Sequence, residues 1–135
     1  MQHTILIIDD NADDALLTKM VLLKTSRDIR AEVALSGEAG LELMRGGKIL
    51  PALILLDLKM PGMDGIEVLR KIRDDKHLSN IPVVIVTHSD LLSDERACVE
   101  AGTNHFLHKA TNIDQFKKEI DFVLENWLDT NKPNQ

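Results

Sequence analysis

Five short runs of apolar, largely β-branched or leucine residues recur along the chain, at 4–8, 31–35, 52–56, 83–87 and 105–107. Each is followed by a stretch in which apolar residues return every three or four positions, at about 12–25, 37–46, 64–74, 90–101 and 112–128. The runs predict strands and the stretches predict helices. Ile54, Leu55 and Leu56 are apolar at consecutive positions, which fits a strand covered on both faces, where simple alternation is lost. A regular alternation of strand and helix predicts an α/β fold with right-handed crossovers, a parallel sheet, and helices on both of its faces. Gly37, Gly46, Gly47, Gly62, Gly65 and Gly102 fall near predicted element ends, and Pro82 stands just before the fourth strand, where a missing N–H costs least. In the last helix Ile113, Phe116, Ile120, Val123, Leu124, Trp127 and Leu128 form one stripe of helical period. Most of that stripe predicts core; Trp127 lies where the helix leaves the sheet and is a candidate for a protein interface.

Composition narrows the picture. A length of 135 residues with 44% hydrophobic and 28% charged residues suits one domain, read as 1–129, with a short polar tail at 130–135 and no output domain. The formal charge of −6, from 16 Lys and Arg against 22 Asp and Glu, leaves no basic excess for phosphate backbones, so nucleic acid is not expected as a partner. The opening MQHTILIIDD reaches acids too soon for a signal-peptide core or a membrane span, and a cytoplasmic protein without membrane contact is expected. Cys98, the single cysteine, reads as a small buried hydrophobe.

Chemistry collects at the strand ends. The first predicted strand stops at Asp9-Asp10, the third at Asp57 and the fourth at Thr87, while the fifth ends just before Lys109. In a parallel sheet these ends share the carboxyl edge, the usual ligand-binding edge of open α/β sheets. Singly, each residue has a structural reading: an acidic pair complements a helix dipole, and a strand-end lysine is usually solvated. Together, the carboxylates would raise one another's pKa unless a cation compensates, and hard oxygen ligands at a half-open edge suit Mg²⁺. With Lys109 and Thr87 opposite, the set fits a phosphoryl group held between metal and ammonium, with Asp57 as the nucleophile. His105 and His108 are three apart on a strand and face opposite ways, which argues against a zinc site.

The segments IIDDN at 7–11, LLDLKMPGMDG at 55–65, VVIVTHS at 83–89 and FLHKA at 106–110 resemble the receiver domain of bacterial two-component response regulators. The resemblance covers practically the whole chain. It implies a flavodoxin-like, doubly wound five-stranded sheet of order 2-1-3-4-5. It also implies that Asp57 accepts a phosphoryl group from a sensor histidine kinase or phosphotransfer protein. Asp10, Asp57 and the backbone carbonyl of Lys59 would bind Mg²⁺ directly, and Asp9 through a water. Thr87 and Lys109 would grip the phosphoryl oxygens, and Thr87 with Phe106 would form the switch that signals to a downstream protein. The sharp turn after Asp57 would aim the Lys59 carbonyl at the metal, with Pro61 fixing φ, Gly62 relieving steric conflict and Asp64 capping the next helix.

Two positions depart from the family pattern. His88 stands where Ala or Gly is usual and is a candidate for controlling access to the phosphoryl group. Ala110 replaces the usual Pro after Lys109, and a trans Lys109–Ala110 bond is expected, because a cis bond before Ala costs roughly 2.5–4 kcal/mol. The Lys-Ala loop, NWL near the C-terminus and the expected lack of an output domain are similar to the small stand-alone regulators that accompany bacterial phytochrome kinases, and Trp127 near the end of the long apolar stripe, again with no output domain, makes a homodimer through the last helix an expectation. An Mg²⁺-dependent aspartyl-phosphate phosphatase is the alternative. Haloacid-dehalogenase-type enzymes place a second Asp two residues after the nucleophile, however, and this chain has Lys59 there, so a regulator and not an enzyme is expected. A purely structural interaction module would have lost some of the five polar pocket residues, and all are present.

Overall fold

The computed structural model describes residues 2–89, 91–109 and 112–129. The predicted tail at 130–135 and the Lys109–Ala110 bond lie outside the described residues. The elements alternate as β1 (His3–Ile8), α1 (Ala12–Leu23), β2 (Ile29–Ala34), α2 (Gly37–Arg45), β3 (Leu53–Leu56), α3 (Gly65–Asp74), β4 (Val83–Thr87), α4 (Leu92–Ala101), β5 (His105–His108) and α5 (Ile113–Trp127). The strands form one parallel sheet in the order β2-β1-β3-β4-β5, as expected.

The consecutive apolar runs now have a cause. In β1 and β3, Ile5, Ile7, Leu53 and Leu55 point into a core shared with α1 and α5, whereas Leu6, Ile8, Ile54 and Leu56 point into a second core shared with α2, α3 and α4. A strand buried on both faces has no polar positions to spare. Each such Leu or Ile contributes about 1.5–3 kcal/mol by leaving water, and these central strands therefore anchor the edge on which Asp9 and Asp57 sit.

Helix starts are fixed by side-chain caps. Asn11, Ser36, Asp64 and Asn112 each accept from a backbone N–H in the first turn of α1, α2, α3 and α5 respectively. At the other end of the sheet, Arg73 of α3 donates to the carbonyls of Gly102 and Ile81 and to the Asn104 side chain, tying α3 to the approaches of β4 and β5.

Differences from the sequence expectations are confined to ends and to the last helix. The second strand runs Ile29–Ala34 and excludes Leu35, because its ladder partner β1 stops pairing at Ile8, opposite Ala34. Ile113 was expected in the core stripe but is exposed, since it opens the first turn of α5 ahead of the first buried residue, Phe116. Trp127 is partly buried against the α1/α5 core, and it also meets Phe122 and His105 with ring centroids 6.2 and 5.1 Å away. Phe122 lies off the predicted stripe and is 49% exposed.

The turn from Asp57 into α3 depends on two glycines. Gly62 has φ +74°, a region that favours glycine. Gly65 packs against the backbone of Asp57 and Leu58: a Cβ there would collide with the Asp57 carbonyl oxygen and lie 2.8 Å from Leu58 Cα. Gly65→Ala is accordingly expected to cost about 1–3 kcal/mol through overpacking against backbone that cannot rotate away. Urea unfolding measures this, and a midpoint equal to wild type would show that the α3 start is free to shift.

Candidate functional site at the carboxyl edge of the sheet

The sheet ladder continues one residue past each strand end and so sets the spacing of the site. Asp57 N–H donates to the Ile8 carbonyl at 2.8 Å, Asp9 N–H to Ala34 at 3.1 Å, and Lys109 N–H to Thr87 at 2.6 Å. Backbone pairing therefore places Asp57 beside the end of β1 and Lys109 beside the end of β4. Asp9, Asp57, Thr87 and Lys109 are all buried, and Asp10 stands exposed at the rim.

Asp9, Asp10 and Asp57 each present a carboxylate oxygen within 4.8 Å of the others, the group expected from sequence. The Lys109 ammonium enters this cluster from β5. Its Nζ lies 2.7 Å from Asp9 Oδ2 and 3.9 Å from Asp57 Oδ2, an ion pair with Asp57 but not a hydrogen bond. Burial pushes the Asp57 carboxyl up from an ordinary 3.8 to about 6, with Lys109 opposing and the Asp9 charge adding to the rise. Burial works against the charged Lys109, but hydrogen bonds to Asp9 and Asp14 and the carboxylate charges outweigh it and raise its pKa.

The remaining residues singled out from sequence make other contacts. Thr87 Oγ1 accepts from the Ser89 N–H at 3.3 Å. The Lys59 ammonium points away from the cluster and pairs with Asp94 of α4 at 3.3 Å, and Asp94 also accepts from the Ser89 hydroxyl. Asp64 caps α3 by accepting from Glu67 N–H at 3.0 Å. Phe106 is half-buried against the α2/α3/α4 core. The exposed His88 ring places Nε2 3.2 Å from Asp14 Oδ2, and its carbonyl meets His108 Nε2 at 2.9 Å. His105 turns instead to the aromatic contacts of α5, so the two histidines part as their strand spacing requires.

Asp14 is the member that sequence reasoning missed. Its Oδ2 accepts from Lys109 Nζ at 3.0 Å. Burial opposes its charged form, but the hydrogen bond and charge of Lys109, with His88, outweigh it and hold the carboxyl below its usual value. A signal was available in the helical period, because Thr18 and Val21 of α1 are buried and Asp14 lies one turn before Thr18 on the same face.

The sequence model of the response regulator receiver domain matches residues 5–121. The chain belongs to that family. Response regulator Rcp1 of Synechocystis sp. is 34% identical over 131 residues, covering 93% of this chain and 89% of Rcp1. The probable methanogenesis regulatory protein FilR2 of Methanothrix harundinacea is 33% identical over 132 residues, covering 95% of this chain and 85% of its own length. Among solved structures, the phosphorylated cyanobacterial phytochrome response regulator RcpA superposes with a TM-score of 0.89 at 27% identity, with each chain covered in full (100%). The Mn²⁺-bound form of Rcp1 gives 0.85 at 31% identity, covering 96% of this chain and 97% of its own. The receiver fold is thus common to this chain and these regulators.

The raised Asp57 pKa has a consequence for stability. A carboxyl whose folded value lies above its unfolded one favours the fold only while protonated, so its ionisation is a cost that is absent below pH 3.8 and complete above about pH 6. Asp57→Asn is expected to stabilise the metal-free receiver at pH 7 by roughly 1–3 kcal/mol, with the gain vanishing towards pH 4. Thermal unfolding of both proteins in chelator across that range tests this; a gain independent of pH would assign the effect to packing.

Proposed function

We propose that this receiver is a phosphorylation-controlled switch whose acceptor is Asp57. The observation that carries the reading is a buried, strand-end carboxylate kept 3.9 Å from a buried ammonium, whose own backbone N–H is paired with the buried strand-end Thr87. A phosphohistidine of a sensor kinase or phosphotransfer protein is the donor. An Asp57 oxygen attacks phosphorus in line, the O–P bond forms as the N–P bond breaks, and the histidine nitrogen leaves with the electron pair. Lys109 and the Thr87 hydroxyl bind the phosphoryl oxygens and neutralise their charge.

The residues fit a divalent cation. Three carboxylates share the cluster, and the buried Lys109 ammonium is already hydrogen-bonded by Asp9 and Asp14, so the site is short of positive charge, as the raised Asp57 pKa reports. Asp10, Asp57 and the Lys59 carbonyl would hold Mg²⁺ directly, with Asp9 acting through a water. When bound, the metal would offset charge on the acceptor and the phosphoryl group. The Mn²⁺-bound form of Rcp1 and the phosphorylated form of RcpA support both parts of this reading by similarity.

Output follows from a change of packing. A groove of about 310 Å³ between α4 and β5, lined in part by Leu92, Phe106 and His108, gives the Phe106 ring space to move when Thr87 engages the phosphoryl group. The partner is a downstream protein, met in the cytoplasm, and no helix among the described residues is long and apolar enough to cross a membrane. For a second copy of the chain, Phe122, Trp127 and His105 offer an apolar aromatic patch on α5 and β5. His88, held at Asp14, restricts the path of water to the acyl phosphate. The phosphatase alternative lacks its acid, because position 59 presents an ammonium engaged with Asp94.

Incubation with acetyl phosphate or a cognate kinase tests the assignment. Wild type is expected to take up label only with Mg²⁺, Asp57→Asn none, and Asp10→Ala little, with its metal dependence lost. Undiminished labelling of Asp57→Asn would remove Asp57 as acceptor, and steady turnover of a small phosphate ester would favour the phosphatase.

A further inference from the structure

The Lys109 ammonium has three N–H donors and spends two of them on carboxylates, on Asp9 Oδ2 at 2.7 Å and on Asp14 Oδ2 at 3.0 Å. Asp57, with the oxygens that matter for phosphoryl acceptance, stands beyond hydrogen-bond distance at 3.9 Å. Asp9 reaches Lys109 because the sheet puts it there. Asp14 does so from α1, a different element, and nothing in the acceptance chemistry requires it.

The two carboxylates also differ in how easily they release the ammonium. The Asp9 side chain is 4% exposed, so losing its cation would strand a buried charge. The Asp14 side chain is 28% exposed and has a second partner, His88 Nε2 at 3.2 Å. A cavity of about 40 Å³ lined by Asp14, Thr18, His88 and Lys109 has room for a water in place of the departing ammonium. Asp14 can therefore give up Lys109 to solvent and His88 at small cost.

We propose that Asp14 is a positioning residue that competes with the phosphoryl group for Lys109. At rest it holds one ammonium donor away from Asp57; when phosphoryl oxygens arrive, that donor turns to them and Asp14 keeps His88 and water. The strength of the resting Asp14–Lys109 pair is then subtracted from the affinity of the site for a phosphoryl group. This inference rests on Asp57 being the acceptor.

Beryllofluoride, a non-covalent phosphoryl mimic, separates the two claims when titrated with Mg²⁺ into wild type, Asp57→Asn, Asp14→Asn and Asp14→Ala. Wild type binding the probe and Asp57→Asn failing to bind it is the result that the acceptor assignment requires; wild type failing to bind it, or Asp57→Asn retaining affinity, overturns that assignment. With the assignment standing, both Asp14 variants are expected to bind the probe about fivefold more tightly, the worth of one partly exposed charged pair. Affinity equal to or weaker than wild type in the two Asp14 variants overturns the competition. A metal-free readout accompanies this: in a crystal structure of Asp14→Asn, Lys109 Nζ is expected within hydrogen-bond distance of Asp57 Oδ2, and a separation still near 3.9 Å contradicts the proposal.

Discussion

Everything at the carboxyl edge depends on one buried ammonium. Lys109 lies among the carboxylates of Asp9, Asp14 and Asp57, and its charge is what allows so many acids to share a space sheltered from water. Removing one side of such a buried arrangement typically costs about 3–5 kcal/mol, so the lysine is a structural requirement of this edge. Its position is secured from a distance: β5 pairs with β4 in parallel register, and Arg73 ties the approach to β5 against α3. The balance remains incomplete, because Asp57 gets attraction without a hydrogen bond from Lys109. That shortfall makes the site receptive to further positive charge and to a group that can draw the ammonium closer.

Much of this was legible in the sequence because it follows from where the continuous apolar runs of the strands end. Once Ile54, Leu55 and Leu56 are read as covered on both faces, Asp57 must emerge at a strand end, and the same logic fixes Asp9, Thr87 and Lys109. The turn after Asp57 was equally readable, since Gly62 takes positive φ and Asp64 caps α3 as their residue types suggest. Asp14 escaped because an acid in the first turn of a helix has an ordinary explanation in the helix dipole. Its place one turn before the buried Thr18 separates it from Asp13, but the contact with Lys109 joins segments far apart in the chain. The exposure of Ile113 was hidden for a related reason: a 3.6 period names a face, but how much of that face the sheet covers depends on tertiary packing.

The groove beside Phe106 and the aromatic patch of Phe122 and Trp127 both border β5, the strand that delivers Lys109 to the pocket. A change in how the ammonium is held thus has a short route to the molecular surface.

The claim that Asp57 carries the phosphoryl group is tested most directly by trapping the bond itself. An acyl phosphate is a mixed anhydride, and borohydride reduces its carbonyl to an alcohol while leaving free carboxylates untouched. Peptide mapping by mass spectrometry after phosphorylation and reduction is expected to find homoserine at position 57 and intact aspartate at 9, 10 and 14. Homoserine at another of these positions, or phosphate retained on a histidine with Asp57 unmodified, would contradict the account.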